Sequence, residues 1–151
     1  MAYEFKKHKM IDGKRYGPTS NGWYYKPLDY HGKVSKEKSK KGRKTKEAEH
    51  KDKSPWILDK SQQYDVFLEG VKGMFMDSKN MFSVLDNSNV IMGVEKERIA
   101  LFPVPPAGPV DWHGYPVSSK EEKLTNEIMD LFYKAKAINY TIYSRMLRRD
   151  L

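Results

Sequence analysis

Residues 55–104 read PWILDKSQQYDVFLEGVKGMFMDSKNMFSVLDNSNVIMGVEKERIALFPV. Their apolar residues have first the spacing of an α-helix and then the pattern of β-strands. The first part predicts a helix, because its apolar residues follow the i, i+3, i+4, i+7 spacing of one buried stripe: Tyr64, Phe67, Leu68 and Val71. Asp59 or Ser61 can cap the start of this helix, and Gly70 and Gly73 are expected to end it.

After this helix the sequence changes to strand-like apolar runs. Met81 to Leu85 and Val90 to Val94 flank the turn-forming residues 86–89, which predicts a hairpin. Arg98 to Val104 predicts a third strand, with apolar side chains on both faces. We therefore expect a three-stranded antiparallel meander that is covered on both sides or that meets a partner on one side.

A proline-rich segment follows. Residues 103–116, PVPPAGPVDWHGYP, contain five prolines and predict a rigid loop that is neither helix nor central strand. Its aromatic residues, Trp112 and Tyr115, either close the end of the small core or present a protein-binding surface. A rigid loop loses little entropy on binding, which makes the second alternative physically reasonable.

Two helices are predicted at the C-terminal end. Ser119 and Glu122 have the spacing of a capping box, so the first helix is expected to begin at Ser119. Asn139 is expected to separate the two helices. The apolar stripes of the two helices comprise Leu124, Ile128, Leu131, Phe132 and Ala135 in the first and Ile138, Ile142, Met146 and Leu147 in the second. Arg145, Arg148 and Arg149 in the last turn either stabilise the helix dipole or form an anion contact.

The chain divides into three segments of different charge. Residues 1–32 carry six basic and three acidic side chains, residues 33–54 carry ten and four, and residues 55–151 carry twelve and thirteen. Residues 33–54, here called the basic segment, have too little apolar surface to fold alone and predict an extended arm or linker. All of the net positive charge therefore lies in the first 54 residues, which favours a polyanionic partner.

Residues 1–32 alternate aromatic residues with turn formers. Asp12-Gly13 and Asn21-Gly22 predict one or two short β-hairpins, which should pack on residues 55–151 or on a partner because isolated ribbons are marginally stable. The aromatic run 23–25 either packs in this small β unit or stacks on bases beside nearby cations. With the basic segment, the candidate nucleic-acid-binding residues are Lys14, Arg15, Trp23, Tyr24, Tyr25, Lys26, Lys36, Lys38, Lys40, Lys41, Arg43, Lys44 and Lys46.

Several classes of function have no support in the sequence. There is no cysteine, which excludes disulfides and cysteine-based metal sites, and no nucleotide-binding or zinc-protease motif is present. The four histidines are dispersed, so we expect neither a metal site nor a cofactor. No signal peptide or membrane span is apparent, and we expect a protein of the cytoplasm or of a nucleoprotein particle, without a membrane partner.

One catalytic hypothesis stays open. Asp111, His113, Tyr115 and Lys120 are close in sequence and have the side chains of a metal-free phosphodiester-cleaving site. The histidine would act as acid or base, and the lysine would stabilise the developing negative charge. These residue types are common, and so this small nuclease or toxin-like site remains an alternative.

The sequence as a whole predicts an α+β protein. A small C-terminal domain (residues 55–151) would contain a helix, the meander, the proline-rich loop and two C-terminal helices, preceded by the aromatic hairpin segment (1–32) and the basic arm (33–54). The leading hypothesis is a non-enzymatic accessory or structural protein of a ribosome-like or virion-like assembly. Its arm would contact the phosphates of DNA or RNA, while the domain docks on protein. The alternatives are a protein-interaction module that uses the Trp112 loop, with the lysines as a solubilising tether, and the nuclease.

Overall fold

A computed structural model describes residues 3–28, 54–106 and 111–151, and in these residues the protein is α+β. The strands are β1 (Tyr24–Tyr25), β2 (Asn80–Ser83), β3 (Ile99–Pro103), β4 (Asp111–Trp112) and β5 (Tyr115–Val117). The helices are α1 (Lys60–Gly73), α2 (Asn126–Lys134) and α3 (Tyr140–Leu147). None of the helices in these ranges is long and apolar enough to cross a membrane.

The main sheet is a three-stranded antiparallel meander in the order β2-β3-β5. Its central strand β3 pairs Phe102 with Met81 on one side and Leu101 with Tyr115 on the other. Both faces of the sheet are covered, as predicted. Ile99 and Leu101 pack with α2 and α3, whereas Ala100 and Phe102 pack with α1 and with residues 3–28, here called the N-terminal segment.

The prediction of a strand at Val90 to Val94 was wrong, because the backbone groups of this segment bond elsewhere. The Met92 carbonyl accepts from the Ile57 amide, and the Val94 amide donates to the Pro55 carbonyl. These two bonds fix the chain before α1. The turn that leads into the segment also has an unusual backbone, with φ values of 52°, 54° and 63° at residues 86–88. Arg98 holds this turn by donating to the Ser88 carbonyl at 3.2 Å.

The third strand comes instead from the proline-rich segment. β5 contains Pro116, which pairs with Ala100, although residues 103–116 were predicted to form a loop throughout. Proline is tolerated there because β5 is at the edge of the sheet, where a missing backbone N–H removes no bond to a further strand. Gly114, just before β5, lies so close to β3 that a Cβ would be 2.6 Å from the Leu101 carbonyl oxygen.

Helix α1 agrees closely with the sequence prediction. Asp59 caps it, accepting from the Gln62 amide at 2.8 Å, while the Gln62 side chain accepts from the Asp59 amide at 3.0 Å. The helix ends at Gly73, and Met74 takes a left-handed conformation with φ of 50°. Gly70 does not end the helix; a Cβ there would be 3.1 Å from the Phe82 carbonyl oxygen, so the glycine allows close packing on the sheet.

The prediction that Ser119 caps a C-terminal helix was wrong. Helix α2 begins at Asn126, and its N-cap is Thr125, whose hydroxyl accepts from the Ile128 amide. The carbonyls of Ser119 and Lys120 accept from the Arg149 guanidinium at 2.9 Å each, so they are not used in a helical turn. The buried Ser119 hydroxyl instead accepts from the Leu151 amide at 2.9 Å, which fixes the end of the chain.

The other features of the C-terminal helices follow the sequence more closely. Asn139 separates them and caps α3, accepting from the Ile142 amide at 3.0 Å. Arg145 and Arg148 both pair with Asp150 at 3.2 Å. The buried members of the two predicted stripes are Leu124, Ile128, Phe132, Ile138, Ile142 and Met146, whereas Leu131, Ala135 and Leu147 are exposed.

The N-terminal segment packs on the rest of the protein. Tyr16 and Tyr25 form an isolated antiparallel bridge and are both buried in the core on the α1 side of the sheet. The predicted turns are present, since Gly13 and Gly22 have φ values of 76° and 84°. Strand β1, which contains Tyr25, also pairs in parallel with β4. Residues 3–28 therefore share one core with the described residues after 54.

Candidate nucleic-acid interface

The described residues on either side of the basic segment are fixed to the same short stretch of chain. Before it, the Lys26 amide donates to the Trp112 carbonyl at 2.8 Å. After it, the Trp56 indole N–H donates to the Gly114 carbonyl at 3.0 Å. The described residues that flank 29–53 in sequence therefore both bond to residues 112–114; residues 29–53 themselves lie outside the described residues.

Arg15, a predicted phosphate contact, is already paired within the fold. Its guanidinium bonds with Asp111 at 3.0 Å and with Asp12 at 3.1 Å, and it lies 4.3 Å from the centre of the Tyr24 ring. The hydrogen bonds to Asp111 and Asp12 raise the pKa of Arg15. Its charge is therefore compensated locally, and a phosphate would compete with two carboxylates for it.

The three rings of the predicted aromatic platform are buried to different extents. Tyr25 is 1% exposed, and its hydroxyl donates to the Gln63 side chain at 2.7 Å. Trp23 is half-buried against Trp112, with 4.7 Å between ring centres. Tyr24 is half-buried beneath Arg15. Packing in the core thus accounts for Tyr25, whereas base stacking by Trp23 and Tyr24 stays a prediction.

Of the remaining candidates, Lys14 and Lys26 are exposed. The other seven lie outside the described residues and remain predictions: Lys36, Lys38, Lys40, Lys41, Arg43, Lys44 and Lys46.

The four candidate nuclease residues have different environments in the fold. Asp111 pairs with Arg15, His113 is half-buried, and Lys120 is exposed. Tyr115 packs on the α2–α3 side of the sheet, where burial, followed by the charge of Glu122, raises its pKa. In the described residues, no three histidine or acidic side chains form a possible metal site.

Trp112 does not present its ring at the surface. It is 1% exposed and packs on Phe67 and Trp23 in the core on the α1 side of the sheet. A protein contact by the proline-rich segment would therefore need other side chains, among which Pro106 is exposed.

A polar cluster that the sequence analysis missed joins the N-terminal segment to α1. His8 Nε2 lies 2.5 Å from the buried Asp65 Oδ1, and the Lys6 amide donates to Asp65 Oδ2 at 2.6 Å. The His8 amide donates to the Ser61 hydroxyl at 2.9 Å. His8 and Asp65 are 57 residues apart in the sequence. The only local signal was the pair of polar residues, Ser61 and Asp65, one turn apart on the helix.

We predict that Asp65→Ala will release the N-terminal segment locally. The substitution removes the acceptor of the Lys6 amide and of the His8 ring, and hydrogen bonds to charged groups contribute about 1.5–3 kcal/mol. Hydrogen exchange of the Lys6 amide should accelerate roughly 10- to 100-fold. Glu69→Ala, one turn further along α1, serves as the control. Equal exchange in both variants and the wild type would contradict the prediction.

Comparisons with known proteins gave no relatives. No family model, no curated protein and no solved structure matches the chain. Its function must therefore be inferred from its own residues.

Proposed function

We propose that the protein is a non-enzymatic, nucleic-acid-associated accessory or structural protein. The basic segment contacts phosphates of DNA or RNA, and the folded part docks on protein within a nucleoprotein assembly. The proposed location is accordingly the cytoplasm or a nucleoprotein particle, and the binding mode requires neither a membrane nor a cofactor.

The observation that carries this proposal is the attachment of both flanks of the basic segment to residues 112–114. Residues 29–53, which include all of the basic segment but Ser54, number 25, and a chain of this length can span roughly 90 Å when extended. A connection between two points so near each other needs only a few residues. The length of the segment is therefore not explained by a spacer between two separate bodies.

The charge of the segment supports binding to a polyanion. Residues 33–53 contain ten lysine or arginine residues and four acidic ones, whereas residues 55–151 contain twelve and thirteen. In the N-terminal segment, Arg15 is compensated by Asp12 and Asp111. The largest net positive charge thus belongs to the basic segment, and a phosphate backbone is the complementary partner.

The nuclease alternative has less support from the geometry. Asp111 bonds with Arg15, and Tyr115 packs on the opposite side of the sheet from Trp112. The protein-module alternative would have to use a surface other than the buried Trp112 ring.

The test is the salt dependence of binding by the full chain. Fluorescently labelled RNA and DNA, single-stranded and duplex, should bind, and log K should fall with log salt with a slope of about −0.9 per phosphate contact on duplex. Six contacts, for example, would give a slope of roughly −5. Polyglutamate, a polyanion without phosphate, is the control competitor. Absence of binding, or affinity unchanged by salt, would overturn the proposal.

A further inference from the structure

Three tyrosines, two of them exposed, form a cluster at the surface where α2 and α3 meet. The ring centres of Tyr133 and Tyr143 are 5.3 Å apart, and those of Tyr140 and Tyr143 are 6.2 Å apart. Tyr133 and Tyr140 are 45% and 66% exposed. Large apolar rings that contact one another at the surface of a protein often mark an interaction site.

A groove of about 590 Å³ lies beside these rings and is positively charged. Tyr133 and Tyr140 line it together with Lys134 and Lys136, and none of its lining residues is acidic. The nearby carboxylate of Asp130 accepts from the Tyr143 hydroxyl at 2.8 Å and does not line the groove. The groove therefore combines aromatic rings with uncompensated cations. We call it the tyrosine groove.

The walls of the tyrosine groove are fixed by the fold. Asn139 caps α3, and its own amide donates to the Asn87 side chain at 2.8 Å, which ties the helix start to the turn after β2. Ile138, between the helices, is 3% exposed and packs in the core. A preformed groove loses little conformational entropy when it binds a ligand.

We propose that the tyrosine groove binds an unpaired nucleotide, with the base on the exposed Tyr140 ring and the neighbouring phosphates near Lys134 and Lys136. The charge of the groove argues for an anionic occupant, and the rings argue for one with a flat π-face. This inference rests on the proposed function and deepens it. Bases within a duplex are covered by their neighbours, so the groove selects single strands.

The proposed division of labour is that the basic segment supplies binding to any phosphate backbone, whereas the tyrosine groove adds affinity for unpaired bases. Stacking of a base on an aromatic side chain contributes about 1–3 kcal/mol when measured by alanine substitution. Because the basic segment and the tyrosine groove are on one chain, a single strand that spans both sites would bind with higher affinity than at either site alone.

The test compares Tyr140→Ala and Tyr140→Phe with the wild type, using the full chain and labelled oligonucleotides of about 20 residues. Tyr140→Ala should weaken single-strand binding roughly 5- to 100-fold and leave duplex binding unchanged. Tyr140→Phe should bind as the wild type does, because the ring remains. Thermal unfolding of each variant shows whether the fold is intact, which is expected because Tyr140 is largely exposed.

Leu147→Ala is the matched control, since Leu147 is 49% exposed, lies two turns further along α3 and does not line the groove. Equal weakening of single-strand binding by Leu147→Ala and Tyr140→Ala would show that the loss is not specific to the tyrosine groove and would overturn the inference. Unchanged single-strand binding by Tyr140→Ala would also overturn it, while duplex binding would still support the basic segment. Failure of the wild type to bind any nucleic acid would overturn the proposed function itself.

Discussion

Replacing the ten lysine and arginine residues of 33–53 with glutamine is expected to lower the affinity for duplex nucleic acid about 100-fold or more at moderate salt. Non-specific binding of this kind is almost wholly electrostatic, with dissociation constants of about 10⁻⁴ to 10⁻⁶ M. Without the cations, binding should therefore approach the limit of detection. The slope of log K against log salt should become nearly flat, which fluorescence anisotropy can measure.

A charge-matched pair of variants separates the basic segment from net charge in general. Each variant replaces five lysines with glutamine and so removes five positive charges. In one, the residues are Lys36, Lys38, Lys40, Lys41 and Lys44 of the segment; in the other, they are the exposed Lys72, Lys79, Lys96, Lys120 and Lys123 of the folded part. The segment variant removes half of the ten cations of the segment and should lose about half of the salt slope, whereas the other variant should retain the slope. Equal losses would show that the overall charge, and not the segment, governs binding.

Replacing Trp112 with alanine is expected to lower the free energy of unfolding by about 3–5 kcal/mol, the usual cost of removing a large buried ring. Trp112 is 1% exposed, contacts Trp23 and Phe67, and belongs to the strand that pairs with Tyr25. Small proteins have total stabilities of about 5–15 kcal/mol, so this variant should be close to unfolding at body temperature. Urea unfolding followed by circular dichroism measures the change.

Trp112→Phe provides the control. In the described residues the buried indole Nε1 has no hydrogen-bond partner, and phenylalanine removes this unsatisfied donor while keeping an aromatic ring. An unsatisfied buried donor costs about 1–3 kcal/mol, which offsets part of the lost volume. The phenylalanine variant should therefore be clearly more stable than the alanine variant. A Trp112→Ala protein of wild-type stability that fails only to bind a protein partner would instead support the loop as a recognition surface.

Elements with local signals were predictable from the sequence. Helix α1 has its stripe, its Asp59 cap and its terminal glycine within 15 residues, and it forms as expected. Asn139 acts as the cap that separates the last two helices for the same reason. The two-sided apolar pattern of β3 likewise predicted a sheet covered on both faces. In each case the interactions that decide the structure are close in sequence.

The errors arose where distant groups compete for backbone hydrogen bonds. Ser119 has the sequence of a helix cap, but Arg149 takes the nearby carbonyls and Leu151 takes the hydroxyl. Val90 to Val94 has the composition of a strand, yet it pairs with residues 55–57. Pro116 argued against a strand, but the edge position of β5 removes the penalty. No local pattern contains these partners.

The candidate site was predictable only as far as charge and composition decide it. The segment-by-segment charge identified the basic segment, but the pairing of Arg15 with Asp111 joins residues 96 apart and was not visible. The tyrosine groove was missed because Tyr133 and Tyr140 lie on different helices and meet only through the turn at Asn139. The tyrosine groove is visible only in the three-dimensional arrangement of these side chains, as is usual for sites formed by residues from different elements.

The attachment of both flanks of the basic segment to residues 112–114 sets a limit on its reach. Residues 29–53, which contain all but the last residue of the basic segment, number 25 and could extend roughly 90 Å as a free tail, but a chain bound at both ends to nearby points can extend only about half as far, roughly 45 Å. A bound strand must therefore pass within that radius of the folded part, so that nucleic acid and any docked protein become close neighbours. Chemical cross-links from the segment should accordingly fall inside a sphere centred on this corner of the fold.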